Sequence, residues 1–205
     1  IILKDVGIIG QKKIFNSKIL VVGAGGLGSP VIDLLVRAGV GFLGIIEDDK
    51  VDYSNLHRQT LYDYNDVGKY KSDVIKKKIK LINDKIKLKI FKERAKDKNL
   101  SKILPKFDII VDGTDNFPTK FLLNKYSLKY RKKLVIGAIS KFDGHIFSFD
   151  FSQKKIPCLN CFYQGMPSDE ILNCEAEGIL GPTANVIGAL PVSYTHLRAH
   201  ETHND

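Results

Sequence analysis

Short apolar runs alternate with helical stripes along almost the whole chain. Lys18 to Gly23 (KILVVG) is mostly apolar, carries two valines and ends on glycine, which predicts a buried parallel strand. In residues 26–38, Leu27, Val31, Leu34, Leu35 and Ala38 recur at helical spacing, and Gly39 follows as a helix terminator. Phe42 to Ile46 reads as the second strand, with the acids Glu47, Asp48 and Asp49 at its carboxyl end. Residues 69–82 form a Lys-rich helix whose Ile75, Ile79 and Ile82 make one apolar stripe. Strand 86–91, a helix near 97–104, strand 107–112, helix 117–130 and strand 133–139 follow. Alternation of this kind predicts an α/β domain, a mainly parallel sheet with helices on both faces. Residues 144–151 (GHIFSFDF) alternate like an antiparallel strand, 158–165 read as a knuckle, 166–177 as a polar crossover loop and 179–190 as a final, truncated helix. The pattern has no repeat and no linker, so one domain is expected.

Composition changes this picture little. The 205 residues, 43% hydrophobic and 27% charged, suit one soluble domain. No apolar run approaches the roughly 18 residues of a membrane span. The net charge of +9 comes largely from lysines spread over helices, such as Lys76, Lys77, Lys78 and Lys80, which reads as a solvated surface. No module that concentrates Arg and aromatics is visible, so no nucleic acid is expected as a partner. Three cysteines, two of them in a C-x-x-C, suit a reduced, cytoplasmic protein.

The chemistry begins at Gly23-Ala24-Gly25-Gly26-Leu27-Gly28, a G-x-G-x-x-G directly between a strand and a helix. Gly23 makes the tight turn, Gly25 and Gly26 let a phosphate approach the backbone, and Gly28 allows close packing of helix on strand. The helix start offers free N–H groups to an anion. Glu47, at the end of the next strand, is placed to hold ribose hydroxyls, with Asp49 as the alternative. Taken alone, these features serve a nicotinamide-dependent oxidoreductase equally well.

The next residues favour a triphosphate. Ser54-Asn55-Leu56-His57-Arg58-Gln59, then Lys71, then Asp112-Gly113-Thr114-Asp115-Asn116 fall at or just beyond strand ends. An uncharged nicotinamide needs no Arg, Lys and Asp at its phosphate end. Cleavage of a triphosphate does: cations neutralise the phosphoryl oxygens and a carboxylate holds Mg²⁺.

With its G-x-G-G-L-G, S-N-L-x-R-Q, G-x-x-K (Gly68 to Lys71) and D-x-x-D-N, the chain resembles the family containing MoeB, ThiF and HesA and the adenylation domains of ubiquitin-activating enzymes. The resemblance covers residues 1–190. It implies a Rossmann-like, mainly parallel sheet with a short antiparallel extension and half of a zinc knuckle. It also implies an adenylyltransferase that activates the C-terminal glycine of a ubiquitin-like sulfur carrier ending in Gly-Gly, in thiamine- or molybdopterin-type sulfur transfer. A relative that adenylates a tRNA base is the alternative.

By resemblance, Gly26 would lie against the nucleotide and Glu47 would bind ribose. Ser54, Asn55 and Arg58 would hold phosphates, and Lys71 would stabilise the pentavalent phosphorus. Asp115 would coordinate Mg²⁺ beside Asn116, whereas Asp112 reads as a structural residue. Cys158 and Cys161 would supply half of a structural zinc site whose second pair lies downstream. Cys174 of the crossover loop is a candidate covalent residue. A homodimer, and a sulfurtransferase as partner, are implied in the same way. Residues upstream of Ile1 are expected to be missing. Residues 192–202 (VSYTHLRAHET) resemble a translated sequencing-library adapter, so 191–205 are set apart from the domain and their His196, His200 and His203 are not read as ligands.

Overall fold

The computed structural model describes residues 6–140, 142–165 and 179–200, with side chains described as far as residue 193. In chain order the elements are α1 (Gly7–Asn16), β1 (Lys18–Val22), α2 (Gly28–Ala38), β2 (Phe42–Ile46), α3 (Lys71–Ile82), β3 (Lys87–Phe91), α4 (Asp97–Ile103), β4 (Ile109–Asp112), α5 (Phe117–Lys129), β5 (Lys133–Ser140), β6 (Asp143–Asp150), α6 (Leu159–Tyr163) and α7 (Gly181–His200). Two 3-10 turns, Tyr53–Asn55 and Tyr64–Asp66, lie between β2 and α3.

The six strands form one sheet in the order β3-β2-β1-β4-β5-β6. The first five are parallel, and β6 runs antiparallel to β5. The chain moves outward from β1 to β3, then returns to lay β4 on the other flank of β1. That reversal opens a crevice above the carboxyl ends of β1 and β4, where open α/β sheets bind ligands. Register aligns these ends: Val22 sits opposite Ile46 on one side and Asp112 on the other. The segments that follow β1, β2 and β4 therefore emerge side by side.

Strand residues alternate between two cores. Ile19, Val21, Leu43, Ile45, Ile109 and Val111 face Ile32, Leu35 and Val36 of α2 and Val74, Ile75 and Ile79 of α3. Leu20, Val22, Ile46, Ile110, Leu134 and Ile136 face Leu100 and Ile103 of α4, Phe107 and Leu123 of α5. Burying each such side chain contributes about 1.5–3 kcal/mol. A sheet buried on both faces is why β1 and β2 read as continuous apolar runs rather than alternating ones.

Several boundaries shift from the expected ones. α2 begins at Gly28 rather than 26, and the Ser29 N–H, donating to the Gly25 carbonyl (2.9 Å), closes the turn that leads into it. α3 begins at Lys71 rather than 69, after Gly68 turns with φ +82°. α7 extends past the expected end at 190, with Pro191 inside it and Val192 in the core. Residues 166–178, which hold Cys174, lie outside the described residues.

Candidate nucleotide site

The glycine loop is held from beneath. Gly23 turns with φ +83°, its N–H donating to the Ile46 carbonyl at 3.0 Å. A Cβ on Gly28 would run into the Gly23 carbonyl, so helix and strand approach as only glycine permits. Ala24, the residue between them, has both peptide groups occupied. Its N–H donates to Glu47 Oε2 at 2.7 Å, and its carbonyl accepts from Tyr62 Oη at 2.9 Å and Ser29 Oγ at 3.1 Å. Beyond it, the N–H groups of Gly25, Gly26, Leu27 and Gly28 have no partner among the described residues. Four open donors at the start of a buried helix are an anion cradle.

Glu47 is only 6% exposed and uses both oxygens on backbone: Oε2 on Ala24 and Oε1 on the Asp49 N–H at 2.9 Å. Its first task is thus to shape the loop, which residue spacing did not reveal. Tyr62 had escaped notice too. Burial first, and the Glu47 charge second, push its phenol up, keeping it a neutral donor.

Arg58 runs its stem along the loop. Its Cγ and Cδ would lie 3.4 Å from a Cβ on Gly26, and Ala184 of α7 covers the same spot at 3.6 Å. The guanidinium is aimed by Asn55, whose Oδ1 accepts from Nη2 at 2.7 Å, and by the Ser54 carbonyl at 3.3 Å from Nη1. Asn55 therefore positions Arg58. The Ser54 hydroxyl donates to Asp52 Oδ1 at 2.6 Å, and this bond together with the Ser54 N–H holds Asp52 below the ordinary carboxylate range. Gln59, buried against Gly25, leaves its Oε1 without a partner among the described residues.

Lys71, at the first position of α3, is buried with its Nζ 3.6 Å from Asp49 Oδ2. Asp49 also faces Arg94 Nη2 at 3.7 Å, and Asp48 faces Arg94 Nε at 3.2 Å. Glu47, Asp48 and Asp49 have carboxylate oxygens within 4.8 Å of one another. With backbone N–H groups or cations already on all three, this is a poor place for a metal ion.

Asp115 differs. It is exposed, and among the described residues its carboxylate accepts one bond, from Asn116 Nδ2 at 3.2 Å. Asn116 caps α5, its Oδ1 accepting from the Thr119 N–H at 3.0 Å. A carboxylate with open lone pairs beside a phosphate cradle suits Mg²⁺, which takes one or two carboxylates plus phosphates and water. The Asp115 loop abuts the glycine loop: a Cβ on Gly23 would lie 3.1 Å from Gly113, and one on Gly113 2.9 Å from Gly28. Asp112 is buried and structural, accepting from the Thr114 N–H (2.9 Å), Thr114 Oγ1 (2.7 Å) and Lys120 Nζ (3.2 Å).

The two described cysteines sit at α6, Cys158 as its cap and Cys161 in its first turn, with the Leu159 N–H donating to Asn124 of α5 at 3.0 Å. Their sulfurs are 3.6 Å apart. Tetrahedral zinc with Zn–S near 2.3 Å needs about 3.8 Å between sulfurs, so the pair fits two of four ligand positions. Burial pushes the Cys158 thiol up, but hydrogen bonds from the Cys161 backbone, the Cys161 thiol, Asn124 and the Asn160 backbone outweigh it and bring it down. No described helix is long and apolar enough to cross a membrane.

The ThiF family profile matches residues 1–197. A sulfur carrier protein adenylyltransferase of Thermus thermophilus is 39% identical over 193 residues, covering 92% of this chain and 71% of that protein. The adenylyltransferase and sulfurtransferase UBA4 of Scheffersomyces stipitis is 41% identical over 179 residues, 87% of this chain but 40% of its own length. E. coli MccB, solved with ATP, superposes with a TM-score of 0.80 at 25% identity, over 94% of this chain and 58% of that one. The chain thus spans less than two thirds of the latter two proteins. A profile matched from end to end of the sheet and the crevice above it leaves one reading: the chain belongs to the ThiF family.

Proposed function

We propose that the chain is an ATP-dependent adenylyltransferase that activates the C-terminal glycine carboxylate of a small ubiquitin-like sulfur carrier ending in Gly-Gly. The observation that carries this is the row of unpartnered N–H groups at Gly25–Gly28, overlaid by Arg58 and flanked by the exposed Asp115. A sulfur carrier is what the Thermus relative acts on by name, and ATP is what MccB binds.

The carrier carboxylate attacks the α-phosphorus of ATP. A new C(O)O–P bond forms, the bond to the bridging oxygen of the β-phosphate breaks, and pyrophosphate leaves with that electron pair. No general base is required, since a terminal carboxyl has an ordinary pKa of about 3.3–3.7. The chain's task is to bind, orient and neutralise. The cradle amides and Arg58 would hold the phosphates, with Asn55 fixing the guanidinium. Lys71 would leave Asp49 to meet charge growing on the phosphoryl oxygens. Glu47, through its free lone pairs, would accept from ribose hydroxyls. Asp115 would hold Mg²⁺, which when bound screens the phosphate charge.

Zinc belongs to the same reading as a structural ion held by Cys158 and Cys161 together with ligands outside the described residues. So does a homodimer: Ile8, Ile9 and Phe15 of α1 are exposed apolar side chains of the kind an interface covers, and a sedimentation mass of one chain would exclude it. Cys174 as covalent residue, and a sulfurtransferase acting downstream, complete it.

Asp115→Ala is expected to abolish carrier-dependent ATP–pyrophosphate exchange while leaving the melting temperature unchanged. Exchange at the parent rate would sink the assignment.

A further inference from the structure

Lys120 is a charged side chain that the chemistry above leaves unused. It sits in the second turn of α5, and its side chain is 4% exposed. A buried ammonium is costly to desolvate and is tolerated only with full hydrogen bonding. Its three donors find three acceptors: Asp112 Oδ2 at 3.2 Å, the Thr114 carbonyl at 2.7 Å and the Gly137 carbonyl at 2.7 Å. Those acceptors belong to the end of β4, the loop after it and strand β5. One side chain thus ties together three segments at the floor of the crevice.

The loop in question carries Asp115. Thr114 is fixed at every polar atom: its N–H and hydroxyl by Asp112, its carbonyl by Lys120. Asn116 is fixed as the cap of α5. Asp115 is therefore suspended between two immobilised neighbours, its carboxylate exposed and making one bond among the described residues. The other acceptors extend the link. Gly137 lies under Leu27 of the glycine loop, 3.3 Å from its side chain to a Cβ position on the glycine, and Gly113 packs on Gly23 and Gly28. The lining is a buried carboxylate and two carbonyl oxygens, so a cation is what this position needs to keep all three paired.

Resting on the adenylyltransferase reading, we infer that Lys120 is a positioning residue that sets the Asp115 carboxylate against the phosphate cradle, so that magnesium and nucleotide bind as one unit. Its effect is on how much magnesium strengthens nucleotide binding, not on binding of the bare nucleotide, which the Gly25–Gly28 amides and Arg58 govern.

The test compares the parent chain with Lys120→Met, the charge-neutral pair Lys120→Met with Asp112→Asn, and Lys120→Arg. Binding of a non-hydrolysable ATP analogue is measured by calorimetry with magnesium and with chelator, and circular dichroism reports folding. The neutral pair removes both buried charges together, so it avoids the cost of leaving Asp112 charged and unpaired that Lys120→Met alone carries. In the neutral pair, metal-free affinity should match the parent, while the gain on adding magnesium falls by about 10-fold, the low end of what losing a direct partner of a metal ligand costs, since Lys120 acts on Asp115 through Thr114. Lys120→Arg, which keeps the cation, should recover most of that gain. A folded neutral variant with the parent's magnesium gain overturns the inference, as does one that loses metal-free affinity to the same extent. A parent that binds no nucleotide at all overturns the adenylyltransferase reading itself, a distinct outcome.

Discussion

Replacing Glu47 by Gln changes one atom of the side chain and none of its volume, yet the structure makes it a severe substitution. Both carboxylate oxygens accept from backbone N–H groups, Ala24 at 2.7 Å and Asp49 at 2.9 Å, in a side chain that is nearly buried. A carboxamide has one acceptor oxygen and one NH₂ group. Whichever way it turns, one N–H is left facing another donor in a place that water does not reach. A hydrogen bond to a charged group contributes about 1.5–3 kcal/mol, and an unmet buried donor adds its own desolvation cost, so about 2–4 kcal/mol is expected for the exchange. For a domain of this size each kcal/mol moves the melting temperature by about 2–4 °C, giving a drop of about 5–15 °C. Thermal unfolding followed by circular dichroism at neutral pH reads this directly. Calorimetry with an ATP analogue reads the second consequence, a cradle that loses its shape and binds about tenfold or more weakly. Glu47→Asp should fall between, since a shorter side chain cannot reach both donors. A Gln variant melting within about 1 °C of the parent would refute the claim that this carboxylate holds the loop.

Other outcomes follow from the same geometry. Asp66 accepts from Lys78 at 3.2 Å and Lys69 at 3.4 Å. Burial raises its pKa, but the Lys78 bond and the Asp63 N–H outweigh that and hold it below the ordinary range. Its contribution is therefore complete above about pH 3.9 and fades as pH falls through the lower folded-state value. Asp66→Asn should be less stable than the parent at neutral pH, with the gap closing in acid; a gap constant from pH 7 to about 3 would contradict the ion pairing. Cys158→Ser and Cys161→Ser should each lower zinc content by elemental analysis, and a zinc-free parent would discard the metal reading.

The parts legible in the residues alone were those governed by local physics. Two-faced burial wrote β1 and β2 as unbroken apolar runs, helical stripes marked α2 and α3, and glycines at 23 and 28 announced a turn closed against a helix. Arg58, Lys71 and Asp115 stood out as candidates because they lie in the segments that follow β2 and β4, and in a parallel sheet such segments leave from one edge. What stayed hidden were partnerships between segments distant in sequence. Glu47 read as a ribose ligand, and only the register of β1 beside β2 puts its carboxylate under Ala24. Nothing in the sequence sets Lys120 apart from the other lysines of a Lys-rich chain. Whether a flexible four-carbon stem ends in water or on three buried acceptors is decided by the order β1-β4-β5 and the seating of α5 above it. Sequence determined the elements and the chemistry at their ends. Tertiary structure alone decided which of those charges stay exposed at the crevice and which are buried in the floor beneath it, because burial and hydrogen-bond partners are properties of the packed sheet, not of any segment within it.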